Sequence, residues 1–428
     1  MMSDSTIKFG YSGQGRLLRD QPISYLMSEA LSNPRLISLA AGFVDYQTLP
    51  VSELSELMCE LCGNVESGRS GLQYGTTQGL PGLRQLAFEH LAELDGLTSE
   101  QMPGGPGQMV ISTGSQQMLH LLAELLLDPG DIVITAWPSY FVFTSALAGF
   151  GVSIRGIDMD DGGLVPQKLE SLLAAFDAAG QLGKVKIVYI CSYHQNPTGL
   201  TLSEDRRSAL FDIVKRYSKR HKILLIEDAA YRQLTYEDDR PGSIKRFDTS
   251  NEYVAMLSTF SKPFAPGLKT GCTLLPGDLV EKVIFAKGGH DFGSANLCQH
   301  LLERAMSKGI YQRHVEALCQ SYAIKRDAML ESLEAKFGDT NDIHWTYPTG
   351  GLYVWLTLPK HINTSRDGVL FKKAIEEGVL YVPGEYCYPN DPTREPPRNT
   401  IRLSYGVPTV EQIHEGVERL ARTVNLHY

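Results

Sequence analysis

Five short stretches of the chain carry side chains that can hold a charged small molecule or move a proton. Thr113-Gly114-Ser115-Gln116-Gln117 joins the apolar run GQMVIST to SQQMLHLLAELLL, which has helical spacing. Free backbone N–H groups at a helix start, beside hydroxyl and amide side chains, make a phosphate cradle, though any strand-to-helix turn offers similar amides. His194-Gln195-Asn196-Pro197-Thr198-Gly199 follows the apolar run VKIVYICSY. Asn-Pro and Thr-Gly form turns, so a plain loop fits as well, but loops at the carboxyl ends of parallel strands are where such sheets bind ligands. Glu227-Asp228-Ala229-Ala230-Tyr231 closes KILLIEDAAY. An acid at the end of a buried strand is costly unless it is paired, while Asp228 by itself also suits a helix N-cap.

The fourth stretch, STFSKPFAPGLKTG, spans residues 258–271 and holds two lysines in small, apolar and hydroxylated surroundings. Lys262 again follows an apolar run. A lysine there loses solvation, its ammonium form is disfavoured, and a neutral nucleophilic amine becomes available. A lysine that snorkels to the surface is the plainer alternative. Last, Arg402 sits inside TIRLSYG, where an arginine among alternating apolar residues is either a fork aimed at a carboxylate or one half of an ordinary salt bridge. A phosphate cradle, an amide, an acid, a phenol and a desolvated amine, each at a strand end, together suit pyridoxal 5'-phosphate. That cofactor needs an amine for its aldehyde, an anion for its ring nitrogen, donors for its ring oxygen and an anchor for its phosphate.

These residues need a scaffold, and the middle of the chain alternates strand and helix signals in the manner of a largely parallel sheet. VKIVYICSY, KILLIEDAAY and YVAMLSTFS are runs of the buried-strand kind. Between the first two, SEDRRSALFDIVKRYSKRH turns Leu210, Ile213 and Val214 one way and its charges the other. After about residue 295 a long helical pattern over 310–337 leads into IHWTY, GLYVWLTL and TIRLSYG, a smaller α+β unit. The expected division is 1–45 as an N-terminal segment packing on the small unit, 46–295 as the large unit, and 296–428 as the small one.

A chain of 428 residues with 43% hydrophobic and 21% charged residues is that of a folded protein with two sizeable cores. The net charge of −9 argues against a nucleic-acid or anionic-membrane binder. No apolar run is long enough to span a bilayer, and MMSDSTIKFG lacks the apolar core of a signal peptide, so the expected compartment is the cytoplasm. Seven scattered cysteines, with one isolated CxxC at Cys59 and Cys62, are expected to be reduced thiols rather than a zinc site. No stretch matches a dinucleotide-binding G-x-G-x-x-G or a P-loop.

From LAAGFVDYQTLP through YGTTQGLPGLR, STGSQQ, PSYF, YHQNPTG, EDAAY and FSKPFAPGLKTG to IRLSYG, the order and spacing resemble the class I/II aminotransferases of fold type I. The resemblance covers nearly the whole chain and is strongest to the aminoadipate/kynurenine-type branch. It implies a mostly parallel seven-stranded central sheet flanked by helices, a smaller α+β domain, and a homodimer sharing its active sites. It also implies a ping-pong exchange of an amino group between an α-amino acid and a 2-oxo acid. Lys262 would bind the cofactor aldehyde covalently and shuttle the proton, and Asp228 would pair with the ring nitrogen. Asn196 and Tyr231 would bond the ring oxygen, and Tyr140 would stack on the ring. Ser115, Gln116, Thr259 and Ser261 would bind phosphate, joined by Tyr74 of the neighbouring subunit. Arg402 would hold the substrate α-carboxylate, with Asn196 beside it and Gly42 lining the substrate pocket.

Two departures stand out. Lys269 occupies a position where the family usually has an arginine, which keeps the charge and loses the fork. The N-terminal stretch Pro22-Ile23-Ser24-Tyr25 lacks the arginine that aminoadipate-type relatives use for a distal carboxylate, although Arg16 and Arg19 lie nearby. The second departure favours an apolar or aromatic substrate side chain. Two rival readings keep the fold: a lyase, decarboxylase or cyclase using the same cofactor, and the effector-sensing half of a transcription regulator. The regulator would need an N-terminal DNA-binding domain, and fewer than about 50 residues precede the fold here.

Overall fold

The β-branched and aliphatic runs between residues 109 and 274 assemble into one eight-stranded sheet. The structure is a computed structural model that describes residues 9–18, 25–26, 29, 32–33, 35–238 and 240–425. A short strand β1 (Ile37–Ser38) precedes the sheet, which contains β2 (Met109–Ser112), β3 (Ile132–Trp137), β4 (Ser153–Asp160), β5 (Gly163–Leu164), β6 (Val185–Cys191), β7 (Leu224–Asp228), β8 (Val254–Thr259) and β9 (Gly271–Leu274). The order is β2-β9-β8-β7-β6-β3-β4-β5. Strands β8, β7, β6, β3 and β4 run parallel, β9 runs antiparallel between β2 and β8, and β5 is a two-residue arm on β4. Seven strands of four or more residues thus form the central sheet. Every residue of β2, β3, β7, β8 and β9 is buried, as strands covered by helices on both faces must be.

The order reverses between β3 and β6. The connection from β3 leads to β4 on one side, and the connection from β6 leads to β7 on the other, which opens a crevice at their carboxyl ends. Tyr140 and Asn196 are carried by the two loops that leave this point.

The helix Glu204–Tyr217 buries Leu210, Ile213 and Val214 as its spacing predicts, but not all of its charges face outward. Arg207 is fully buried: it stacks 4.3 Å above the Tyr193 ring and pairs with Glu227 at 3.4 Å. The Glu227 carboxylate also accepts from Ser192 Oγ and from the backbone N–H groups of Ile244 and Lys245. This is how a charge inside an apolar strand is tolerated: a cation pairs with it and both oxygens find donors.

The later strands β10 (His344–Trp345), β11 (Tyr353–Thr357), β12 (Val379–Leu380), β13 (Val382–Pro383) and β14 (Thr400–Ser404) are separate from the large sheet. Strands β10, β11, β14 and β13 form an antiparallel sheet, and β12 pairs in parallel with β1. Leu26, Leu36, Leu39 and Ala40 enter the same core as Val354, Leu356, Ile401 and Leu403. Residues 17 and 18 lie elsewhere, against Gly151 and Gly149, beside the helix after β3. Arg19 and Pro22-Ile23-Ser24 are outside the described residues.

Candidate active site

The carboxyl ends of β6, β7 and β8 point toward β14, and four of the residues singled out in the sequence meet there. Asn196 Oδ1 accepts from Arg402 Nη1 at 2.9 Å, a contact across 206 residues. The loop that carries Asn196 turns at Gly199, where φ is +72° and a Cβ would sit 2.4 Å from the Tyr353 carbonyl oxygen. Only glycine satisfies both conditions. Arg402 is paired with Trp355 of β11 and Val382 of β13 in the ladder, which fixes its direction. Its Nη2 donates to the Ala40 carbonyl at 2.7 Å, and its guanidinium lies 4.4 Å from the Tyr353 ring centroid. Nε is buried with no partner, so the fork keeps donors to spare for a carboxylate.

Asp228 ends β7, 4% exposed. Its Oδ2 accepts from the Tyr189 hydroxyl at 2.8 Å and its Oδ1 from the Ala230 N–H at 3.1 Å. Burial pushes the carboxyl above its ordinary value, and the two hydrogen bonds pull it part of the way back. Among the described residues no salt bridge reaches it. A buried acid with donors but no cation is a seat for a positively charged ligand atom.

Lys262 lies just past the end of β8, partly buried, with Nζ donating to the Gly42 carbonyl at 2.7 Å and standing 5.8 Å from the Tyr231 ring centroid. Burial pulls its ammonium below the ordinary lysine value; nearby Tyr353 opposes the shift, and Arg402 and Lys269 add to it. A larger fraction of neutral amine at neutral pH is the result. Tyr231 is buried and shares a 3.0 Å hydrogen bond with the Tyr353 hydroxyl. Burial and the Asp228 charge raise the Tyr140 phenol well above its usual value, so Tyr140 is a neutral ring beside the acid. At Gly42 an added Cβ would fall 2.7 Å from Tyr353 Oη, which leaves room there for glycine alone.

The phosphate cradle takes shape between β9 and the helix Gly114–Leu126. Gly271 passes so close that a Cβ on it would lie 2.8 Å from both Gly114 C and Ser115 N. Gln116 Oε1 is buried without a partner. Across from these, Thr259 Oγ1 meets Ser261 Oγ at 3.1 Å and accepts from the Ser261 N–H at 3.2 Å. A helix N-terminus, two hydroxyls and close glycines fit a phosphate. Lys269 caps the turn Pro266–Leu268 in the left-handed region, with φ of +49° and an exposed side chain. Tyr74 does not join the cluster within one chain: it is 83% exposed and meets Phe292 edge-on at 5.7 Å.

Sequence reasoning missed Tyr189 and Tyr353. Both sit in continuous apolar runs, VKIVYIC and GLYVWLTL, and read there as core aromatics. The available signal was the hydroxyl itself, since a buried phenol needs a partner. It also missed Asp291, which accepts from Lys287, Gln117 and Thr113 and so ties the cradle helix to the helix Val280–Asp291.

Comparison with known proteins places the chain in a family. The family profile described as aminotransferase class I and II matches residues 34–420. Aromatic-amino-acid aminotransferase 1 of Thermococcus litoralis is 32% identical over 389 residues, 91% of this chain and 88% of its own. The 2-aminoadipate transaminase of Thermus thermophilus is 31% identical over 394 residues, 91% of this chain and 90% of its own. The crystal structure of Pyrococcus horikoshii kynurenine aminotransferase superposes with a TM-score of 0.88 at 30% identity, covering 97% of each chain.

Proposed function

From the premise that this chain belongs to the class I and II aminotransferases, we propose how its own residues carry out the family's reaction. The protein is a pyridoxal 5'-phosphate-dependent transaminase of fold type I, not a lyase, decarboxylase or cyclase. When bound, the cofactor supplies an aldehyde carbon and an electron-withdrawing ring. Lys262 Nζ is the amine that holds it covalently and, once released, takes the proton from the substrate α-carbon. Asp228 holds its negative charge against the ring nitrogen. Asn196 and Tyr231 donate to the ring oxygen, and Tyr140 covers the ring face. Ser115, Gln116, Thr259, Ser261 and Lys269 hold the phosphate. Arg402 receives the substrate α-carboxylate, with Asn196 and Gly42 shaping the space beside it. Amino donor and 2-oxo acceptor use the same site in turn.

The observation that carries these roles is the pairing at adjacent strand ends of a lysine whose proton is loosened and a buried acid to which no described cation is bonded. The proposed substrate side chain is apolar or aromatic. Of the two nearby arginines, Arg16 is exposed and donates to the Tyr11 carbonyl of its own turn. Two of the relatives above are named for aromatic or kynurenine substrates. The test is a half-reaction: the loaded protein is given single amino acids, and conversion of the lysine-bound cofactor to its amine form is followed by absorbance. Aromatic and branched donors should react faster than glutamate, aspartate or 2-aminoadipate. Silence across a broad panel would overturn the transaminase roles, and a fastest acidic donor would overturn the side-chain preference.

The proposed assembly is a homodimer in which Tyr74 reaches the partner's phosphate. Its support is the exposed apolar surface of Leu72, Tyr74 and Phe292 around the cleft at residues 72–75 and 293–296. The proposed division is a cofactor-binding unit over 46–295 and a small unit over 296–428; of the segment 1–45, Leu26, Leu36, Leu39 and Ala40 pack on the small unit, whereas Leu17 and Leu18 pack on the large one. The proposed compartment is the cytoplasm, on composition alone.

Lys269→Arg should tighten cofactor retention about three- to tenfold, because a bidentate fork replaces a point charge on the phosphate. Dialysis followed by cofactor titration measures it. An unchanged affinity would remove Lys269 from the phosphate ligands.

A further inference from the structure

Tyr353 has no role assigned so far, yet its side chain touches three parts of the site. Its hydroxyl is 3.0 Å from Tyr231 Oη, its ring lies under the Arg402 guanidinium, and its Oη fills the space a Cβ on Gly42 would need. It is 1% exposed and is held in register by β14, opposite Ser404. A phenol has one proton to give. If Tyr231 gives its own to the cofactor ring oxygen, the 3.0 Å contact can be made in one direction only, with Tyr353 donating to Tyr231. The two hydroxyls then form a chain that ends on the ring oxygen, and each donor strengthens the next.

We propose that Tyr353 is a positioning residue whose hydroxyl, by donating to Tyr231, tunes the charge on the cofactor's ring oxygen. The inference rests on the Tyr231 role stated above. A stronger donor at the ring oxygen stabilises that oxygen in its deprotonated form, and so lowers the pH at which the lysine-bound cofactor loses its proton. Removing the Tyr353 hydroxyl weakens the chain and raises that pH. The effect is smaller than losing Tyr231 itself, which removes the bond made directly to the ring. Among the described residues the charged groups beside the pair are Lys262, 5.8 Å from the Tyr231 ring, and Arg402, 4.4 Å from the Tyr353 ring, with Asp228 beyond them next to Tyr140. Tyr140 and Cys191 lie on one side and Tyr322 and Tyr405 on the other, all pushed up by burial and therefore neutral across the titration.

The experiment titrates the visible absorbance of the lysine-bound cofactor in the loaded wild type, Tyr353→Phe, Tyr231→Phe and the double variant. Phe keeps the ring over Arg402 and deletes one oxygen. Tyr353→Phe should move the midpoint up by about half a unit to one unit, the size set by one neutral hydrogen bond. Tyr231→Phe should move it further, and the double variant should match Tyr231→Phe alone, because the two hydroxyls act in series. A shift in Tyr231→Phe with none in Tyr353→Phe overturns the proposal and spares the Tyr231 role. Shifts that add in the double variant also overturn it, since Tyr353 would then act without Tyr231. No shift in either variant overturns the Tyr231 role, and the proposal with it. The substrate KM serves as the control: a raised KM in Tyr353→Phe without a spectral shift would assign the hydroxyl to packing at Gly42 and overturn the tuning role.

Discussion

Replacing Lys262 with Ala should lower turnover of the loaded protein about ten-thousandfold or more and abolish the absorbance of the lysine-bound cofactor in the same variant. The size follows from removing two functions at once, the covalent amine and the proton carrier. Among the described residues no neighbour can substitute. The other amine close enough to matter is that of Lys269, which is exposed on a turn in the left-handed region. Arg402 carries a guanidinium already bonded to Asn196 and Ala40, not an amine. Cofactor binding itself should survive in weakened form, because the cradle at Ser115 and Gln116 and the acid at Asp228 are untouched. Equilibrium dialysis separates that outcome from a folding failure. Turnover that persists at a tenth of wild type or better would remove Lys262 from the chemistry.

The residues legible in the sequence were those whose types are expensive where they stand. Asp228 ends one apolar strand and Lys262 closely follows another, where an unpaired charge costs free energy, so their presence already asked for a ligand. Arg402 inside TIRLSYG raised the same question. What could not be read was which of them touch. The bond from Arg402 to Asn196 joins residues 206 apart and depends on the pairing of β14 with β11 and β13. Arg207 was expected on the outer face of its helix, because helical spacing records which residues are charged and not which are paired; its partner Glu227 lies on the neighbouring strand. The direction of β9 was equally hidden, since GCTLL is apolar whichever way it runs. Tyr189 and Tyr353 were invisible for another reason: a tyrosine in a buried strand looks like core until the partner of its hydroxyl is known.

Asp228→Asn should lower turnover about a hundred- to thousandfold, the range for removing one preorganised electrostatic contact. Its effect on stability should have the opposite sign with and without cofactor. Burial raises the Asp228 carboxyl above its ordinary value in the folded protein, with Tyr189 and Ala230 offsetting only part of the shift. A carboxyl whose folded value is raised binds its proton more tightly when folded. Its penalty is therefore absent below the ordinary carboxylate range and grows as pH rises toward the folded value. Above the folded value the cofactor-free wild type bears that penalty in full. Asparagine carries no charge, can keep Oδ1 on the Ala230 N–H and can donate from Nδ2 to the Tyr189 hydroxyl oxygen, so the cofactor-free variant should melt no lower than wild type. Loading reverses the comparison: wild type gains a cation against its buried anion, whereas the variant gains a contact without charge. Thermal melts of both proteins, with and without cofactor, at neutral pH and below the carboxylate range, read this directly. Were the variant less stable by the same margin in both states, Asp228 would be a hydrogen-bond acceptor capping the turn at Ala230, and the anion's place opposite the ring nitrogen would be lost.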